Sequence, residues 1–436
     1  MFTFKGGIHP NDGKAYTNNK KIEKMDAGSE VVFLMKQHIG APSTPVVKVK
    51  DEVQVGDLIG EATGYVSANI ISSVSGKVKR IEKRQDASGN YQDAVVIEND
   101  GLYTSGYIKH ENNIEELSFE EKIEKVKAAG IVGLGGAGFP THVKLNVKDR
   151  NKIEYVIVNG AECEPYLTSD VRLMLERPQE LIEGLKIMLS LYPHAIGYIG
   201  IEDNKIEAIK LLSELCVHES RIEVKTLKTK YPQGGERMLI KALTGRQLHS
   251  KMLPLDVGCI VDNVATVIAI GNAIKFDQPL ISTVMTLTGE GMVSPCNVEV
   301  PIGTDFEYIL ETHGGLKDNV EKVISGGPMM GISLLSLHVP AIKTSSALLA
   351  FSHDEVAMNE PSACIRCGRC VDACPSQLIP QKLYLASLKN DMNAFIELNG
   401  LECIECGCCS YVCPAKRNMT QAFRKCKSTI ASLKRK

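Results

Sequence analysis

The chain has 436 residues, a formal net charge of −2 at pH 7 and 23% charged residues; that is too long for one domain of ordinary size and too near neutrality for a nucleic-acid binder. No stretch of about 18 residues is apolar enough to cross a membrane as a helix, since the best candidate, Val257 to Ile274, is broken by Asp262 and Asn263. Of the 14 cysteines, Cys163, Cys216, Cys259, Cys296, Cys408 and Cys426 are scattered singly, and with an opening that lacks a signal-peptide pattern this predicts free thiols in a reducing compartment.

Positions 1–30 form an N-terminal lead, in which Phe4-Lys5-Gly6-Gly7-Ile8-His9-Pro10 is turn-rich and without periodicity. From 31 to 110 short β-branched runs recur between turns, at Val31–Leu34, Val46–Val49, Ile81–Glu82 and Ala94–Ile97, which predicts a small antiparallel barrel or sandwich. Within it Val53–Glu61 and Ser72–Val78 look like the two halves of a lipoyl or biotinyl carrier domain. A carrier needs a modifiable lysine at the tip between those halves, and residues 62–70 contain none. The expectation is a carrier-like scaffold used structurally or for docking.

Residues 111–250 alternate in the α/β manner. Ser118 and Glu121 form a capping-box pattern for a helix carrying Phe119, Ile123, Val126 and Ala129 on one face and ending at Gly130. Next comes Gly133-Leu134-Gly135-Gly136-Ala137-Gly138-Phe139-Pro140-Thr141-His142-Val143-Lys144. It contains G-x-G-x-x-G, but a helix precedes it and Pro140 obstructs helix growth, so the dinucleotide fingerprint fails its context. What survives is a glycine turn whose N–H groups form an anion nest, with Lys144 as a point charge, weighed against a plain glycine-rich turn.

The strand Tyr155–Val158 then runs into Asn159-Gly160-Ala161-Glu162-Cys163-Glu164-Pro165, polar groups at a strand's carboxyl end, where open α/β sheets bind ligands. Helices follow at Arg177–Leu191 and Ile206–Leu215 with a strand at Ala195–Ile201 between them, then a strand at Ile222–Val224. A glycine turn, Tyr231–Arg237, and a polar turn, Val261–Thr266, each open a further helix. From Ile281 to Val339 the texture changes to short strands with Gly and Pro turns and one helix, Phe306–Glu311, which predicts a β-grasp (SLBB-like) module over 251–345.

From 346 to 436 the chain carries Cys364-Ile365-Arg366-Cys367-Gly368-Arg369-Cys370-Val371-Asp372-Ala373-Cys374-Pro375, and the same C-x2-C-x2-C-x3-C-P spacing returns from Cys403 to Pro414. This run holds a cubane cluster, and where two are present the fourth cysteine of each serves the other cluster. Cys364, Cys367, Cys370 and Cys413 are therefore assigned to one 4Fe-4S centre, and Cys403, Cys406, Cys409 and Cys374 to its neighbour. Structural zinc sites use two pairs of ligands, which a repeated triplet with a distant Cys-Pro does not match. Cys408 is a spare thiol. A helical spacer over Pro380–Leu398 is expected between the runs, and at the end a basic tail of Lys416, Arg417, Arg424, Lys425, Lys427, Lys434, Arg435 and Lys436, read as a solvated helix end and weighed against contact with an acidic partner or membrane headgroups.

Taken in order, the Phe4–Pro10 stretch, the carrier-like barrel, Gly133–Lys144, Asn159–Asp170, Tyr231–Glu236 and the two cysteine runs closely resemble the RnfC family, the C subunits of Rnf complexes, over essentially the whole chain. The central region is also similar to the flavin subunit of respiratory complex I. These resemblances imply a multidomain α/β protein: a barrel-sandwich domain, an FMN/NADH-binding α/β domain, an SLBB-like module and a helical two-cluster ferredoxin-like domain. Position by position, Gly133, Gly135, Gly136 and Lys144 would meet the FMN phosphate or ring, Asn159 and Glu162 the flavin, and Phe139 and Glu164 would face NADH. Tyr231, Gly234 and Glu236 would line the cleft, and Asn263 and Thr266 would hold the phosphate end. Ala161, Gly235 and Asp262 depart from the complex I pattern, which carries an aspartate, a glutamate and an asparagine there.

The implied function is a peripheral oxidoreductase subunit on the cytoplasmic face of the cell membrane. It would pass electrons between NAD(H), FMN and two 4Fe-4S clusters to or from the membrane subunits of an ion-translocating complex, reaching ferredoxin only through that complex. No acid-base catalytic residue is required. The alternatives are a soluble relative feeding a reductase of proline-reductase type and a non-enzymatic iron-sulfur wiring subunit without flavin. Gly6-Gly7-Ile8-His9-Pro10 counts against relatives of the cobalamin-reducing type.

Overall fold

The computed structural model describes all residues except Ala137 and 434–436, and the Ala357 backbone without its side chain. Lys434, Arg435 and Lys436 of the basic tail thus lie outside the described residues.

In the N-terminal domain, Glu30–Leu34 pairs with Tyr91–Asn99, which pairs with Gly76–Gln85, which pairs with Glu52–Val53, all antiparallel. A second sheet joins Thr44–Pro45, Leu58–Glu61 and Ile70–Ile71. Val31, Phe33, Ile59, Ile70, Val78, Val95 and Ile97 form the buried interior, as alternation along each strand demands. The expected run Val46–Val49 is not a strand: only Thr44–Pro45 pairs there. Val46 and Val49 are about half exposed, so no burial backs their β-propensity.

The α/β unit is a parallel sheet ordered Ile222–Leu227, Ile196–Glu202, Tyr155–Gly160, Cys259–Asn263. Its helices Pro178–Leu191 and Val264–Phe276 meet at Gly184 and Gly271, where a Cβ on Gly184 would strike the Val267 carbonyl. The strand Cys259–Asn263 lies beyond position 250, so this unit continues to Phe276 and the boundary expected at 250 divides it. The expected polar turn Val261–Thr266 is the end of that strand and the start of the next helix, where Asn263 accepts from Ala265 N at 2.8 Å as the N-cap. The helix Phe119–Ala128 carries the predicted capping box.

The β-grasp module is a six-stranded sheet closed over Leu287, Val298, Phe306, Leu310 and Leu348. Its strand Ala347–Phe351 lies past the expected boundary at 345. One edge strand, Ile22–Lys24, comes from the N-terminal lead and runs parallel to Cys296–Pro301. The lead is ordered elsewhere too: Ile8 and Tyr231 exchange backbone hydrogen bonds at 2.8 and 2.9 Å, and Gly7 N donates to Ala373 O at 3.0 Å. Local periodicity carried no sign of this, because the lead owes its order to the surfaces it crosses.

The C-terminal domain packs Pro380–Leu388, Met392–Glu397 and Met419–Leu433 around Leu383, Phe395 and Phe423. The single spacer helix expected over Pro380–Leu398 is two helices. Asn390 adopts φ 51°, and Asp391 caps the second helix by accepting from Ala394 N at 2.9 Å. Glu402 ties this domain to the α/β unit by accepting from Arg237 at 3.1 Å and from Ser250 N at 2.7 Å.

Candidate functional site

A cavity of about 400 Å³ opens at the carboxyl ends of Tyr155–Gly160 and Cys259–Asn263, within the size range of small-molecule sites. Parallel pairing sets Asn159 opposite Asn263, so both amides stand at the cavity floor. Asn159 donates to Gly234 O at 2.8 Å and Asn263 to Asp170 Oδ2 at 2.7 Å. Glu162, held at φ 45°, accepts from Asp170 N at 2.7 Å and faces the Lys14 ammonium at 3.7 Å. Lys14 also donates to the Glu162, Glu164 and Leu167 carbonyls, which locks the loop that presents both glutamates.

Two carboxylate oxygens in this region, Glu162 Oε2 and Glu164 Oε1, are buried with no hydrogen-bond partner among the described residues. Acceptors left in this state mark a place for a ligand donor. Burial raises the Glu164 carboxyl to about 7. Burial, with Glu162 beside it, does the same for Asp170.

Of the thirteen positions expected to contact cofactor, Gly135, Gly136, Asn159, Glu162, Glu164, Gly234 and Asn263 line this cavity. Gly136 has φ 119° and open space where a Cβ would stand, so a ligand can approach the main chain there. The other six do not line the cavity. Gly133 and Phe139 close the base of the glycine loop, with Gly133 N donating to Phe139 O at 2.9 Å. Thr266 accepts from Leu134 N at 2.9 Å, which pins the same loop from the helix side.

Tyr231 is buried against the N-terminal lead, and Glu236 is exposed at the start of the helix Glu236–Thr244. Lys144 is paired with buried Asp262 at 2.9 Å and donates to Val261 O at 2.7 Å. Its charge is held by the strand end and not offered to the cavity. Ala161, Gly235 and Asp262, the three departures from the complex I pattern, are likewise absent from the lining.

Sequence reasoning missed two walls. One is Ser325, Gly326, Gly327, Met330, Gly331 and Ile332 of the β-grasp module; the other is Asp86, Ala87, Ser88 and Gln92, at the tip of the barrel's long hairpin. The run Gly326-Gly327-Pro328-Met329-Met330-Gly331 was a usable signal. Nothing local marked the hairpin or Lys14.

The two cysteine runs fold alike. Left-handed positions recur at Arg366 and Glu405 (φ 58° and 57°), Gly368 and Gly407 (81° and 82°), and Gln377 and Lys416 (54° and 48°). The N–H groups of Arg366 and Glu405 each point at the preceding cysteine sulfur, 3.4 Å away. The thiols fall into two nests that mix the runs. Cys409 is pushed up to about 12 by burial and by Cys403, Cys406 and Cys374 around it, whereas Cys370 is raised by burial and by Cys413 and Cys364. Cys374, Cys403, Cys406 and Cys409 also ring one cavity, which Cys408 lines as well and which has Leu378, Leu383 and Phe423 in its wall. Four thiols converging on an apolar-walled space fit a thiolate-held cluster.

Cys408 lies outside this role, its Sγ donating to Tyr231 O at 3.8 Å. In the basic tail, Arg424 and Lys427 pair with Glu405 at 3.2 and 2.5 Å, so part of the expected solvated charge is used internally.

Family models match four stretches: the RnfC barrel sandwich hybrid domain over 2–102, the Nuo51 FMN-binding domain over 126–272, the SLBB domain over 284–333 and the 4Fe-4S dicluster domain over 357–414. The chain is 44% identical to the C subunit of the proton-translocating ferredoxin:NAD(+) oxidoreductase complex of Clostridium ljungdahlii, over 98% of this chain and 93% of that protein. It is 42% identical to the C subunit of the Na(+)-translocating ferredoxin:NAD(+) oxidoreductase complex of Acetobacterium woodii, over 100% of this chain and 98% of that protein. The chain belongs to the RnfC family. Its fold also resembles a chain of an NAD+-reducing NiFe hydrogenase in the H2-reduced state, with a TM-score of 0.51 and 16% identity, covering 74% of this chain and 62% of that one. As an RnfC protein it combines a flavin domain with two cluster motifs, and among the described residues no helix is long and apolar enough to span a membrane.

Proposed function

We infer that this chain is the NAD(H)-reactive peripheral subunit of an ion-translocating ferredoxin:NAD(+) oxidoreductase complex. Electrons pass between NAD(H), FMN and two 4Fe-4S clusters, to or from the membrane subunits, with ferredoxin served elsewhere in the complex. The observation that carries this reading is a cavity with two buried glutamate oxygens that accept no hydrogen bond, one of them 3.7 Å from the Lys14 ammonium, beside a nest of four cysteines. A bound FMN supplies conversion between the hydride's electron pair and the single electrons a cluster holds.

The residues of the chain position these groups. Gly136 leaves the main chain open to a flat ring or phosphate, and Gly135 lets the loop close on Asn263, whose Cβ would stand 2.9 Å from a Cβ at that position. The Asn159 and Asn263 amides and the Glu162 carboxylate orient polar edges, and Gly234 leaves room above Asn159. Glu164 offers its unpaired oxygen to a nicotinamide N–H. Gly133, Phe139, Lys144, Tyr231 and Thr266 act from behind, by holding loops and strand ends, and Glu236 stands exposed at the start of its helix. Cys364, Cys367, Cys370 and Cys413 hold one cluster; Cys403, Cys406, Cys409 and Cys374 hold the other.

The cytoplasmic face is proposed because thiolate-held clusters and six further unpaired cysteines require a reducing compartment, the one that also holds the NAD(H) pool. Protease accessibility in membrane vesicles of known orientation tests that placement. Anaerobic purification followed by assay of FMN, iron and NADH-driven dye reduction tests the chemistry. Two clusters with no reaction toward NADH after flavin is supplied would overturn it.

A further inference from the structure

The two cysteine nests differ in where they face. Cys406 and Cys408 are buried in one apolar cluster with Tyr231, Ile8, Cys163 and Met329. Met329 is also the residue whose N–H donates to Glu164 Oε2 at 3.1 Å, beside the cavity. Gly6 presses so closely on the Cys374 carbonyl that a Cβ would stand 2.7 Å from it. The Cys374 nest is therefore the one next to the flavin cavity, with Cys406 and Cys409 buried and Cys374 and Cys403 half-buried. Cys364 and Cys367 of the other nest are exposed.

The surface around these two thiols has a distinct character. Ile365, between them, is 69% exposed and Tyr411, two residues before Cys413, is 52% exposed. Arg366, Arg369 and Lys416 are exposed around them. Ser362 N donates to Ala415 O at 3.0 Å and Arg417 Nε to Ser362 O at 3.1 Å, so the segment bearing Lys416 lies against the start of the first run. In residues 362–374 and 413–417 the cations are Arg366, Arg369, Lys416 and Arg417, against one carboxylate, Asp372. Arg366, Arg369 and Lys416 have no ion pair among the described residues. Apolar side chains at the centre of a charged rim are the composition of a specific interface, and the sign of the rim selects the partner.

We propose that this face, centred on Cys364, Ile365 and Cys367, is the docking surface for an acidic, one-electron-carrying domain of a partner subunit, and that the Cys374 nest is the inner relay between it and the cavity. The proposal rests on the function inferred above. No bond is made or broken at this surface: one electron leaves the outer cluster and one partner centre is reduced, or the reverse.

The test compares Arg369→Glu/Lys416→Glu with the parent chain, both as the isolated holoprotein and within the detergent-solubilised complex. In the isolated protein, iron content and bleaching of cluster absorbance by NADH stay at parent values. In the complex, the variant is released at lower salt and electron arrival at partner centres slows about tenfold or more, as loss of rim complementarity predicts. Lys416→Glu alone, which lies outside the first cysteine run, serves if the double variant loses iron. Parent-like retention and transfer at all salt concentrations would refute the docking surface. So would binding of the parent chain to phosphatidylglycerol vesicles that the variant loses while transfer in the complex is unchanged. Failure of NADH to bleach the parent protein would count against the inferred function, whereas salt-dependent retention would still decide the docking surface.

Discussion

Lys144 sits 2.9 Å from Asp262, whose side chain is 1% exposed, and this pair lies under the glycine loop and outside the cavity lining. A cation that sequence pattern assigns to a ligand's phosphate is in this fold the partner of a buried carboxylate, because Asp262 lies one residue before the end of the strand Cys259–Asn263, within reach of the short helix that carries Lys144.

Lys144→Met should therefore act first on stability. Leaving a buried carboxylate without its partner costs about 3–5 kcal/mol, and because Lys144 is itself 23% exposed the lower end is expected. Urea titration of the flavin-free protein checks this, with Lys144→Met/Asp262→Asn recovering most of the loss. Burial raises the Asp262 carboxyl and Lys144 lowers it. Without Lys144 it rises further, so the deficit should shrink as pH falls and the group protonates.

Glu164 and Asp170 make the flavin-free chain sensitive to pH. Both are raised to about 7, from ordinary values of 4.5 and 3.8. A carboxyl raised on folding contributes stability that is fully present below its unfolded pKa and is lost as pH rises through its folded one. Thermal midpoints of the parent chain should fall between pH 5 and pH 8 relative to those of Glu164→Gln, whose curve loses this component. Parallel curves would show that Glu164 titrates normally.

Lys343 joins three domains. It is 1% exposed, lies in the β-grasp module, and donates to Asn69 O of the barrel and, at 2.6 Å, to Gly130 O of the α/β unit. Lys343→Met strands two buried carbonyls, each worth about 1–3 kcal/mol if left unsatisfied. Limited proteolysis should then cut between the barrel and the α/β unit in the variant before it cuts the parent.

Gly6→Ala tests the N-terminal strap. Gly6 has φ 85° and its Cβ would meet the Cys374 carbonyl, whereas Gly245, at φ 74°, has nothing within 4 Å. Gly245→Ala should cost only the left-handed penalty of about 1 kcal/mol. Gly6→Ala should cost more, and should perturb the electron paramagnetic resonance spectrum of the cluster that Cys374 serves. Equal effects would mean that the strap yields freely.

Spacing alone carries the two-cluster motif that the family match over 357–414 shows and the proposed crossed assignment of its cysteines, because C-x2-C-x2-C-x3-C-P is a local pattern that the chain satisfies wherever it lies. Periodicity likewise located the helices Ile206–Leu215 and Pro178–Leu191 and the strand Tyr155–Gly160, whose burial follows from their own pattern. What the tertiary structure decided was contact between segments remote in sequence. It recruited Lys14 under Glu162 and Ile22–Lys24 into a distant sheet, brought the barrel hairpin and the Gly326–Gly331 loop to the cavity wall, and turned Lys144 toward Asp262. Each of these depends on which surface lies across from a residue, and that is set by the packing of whole domains and carries no period in the chain.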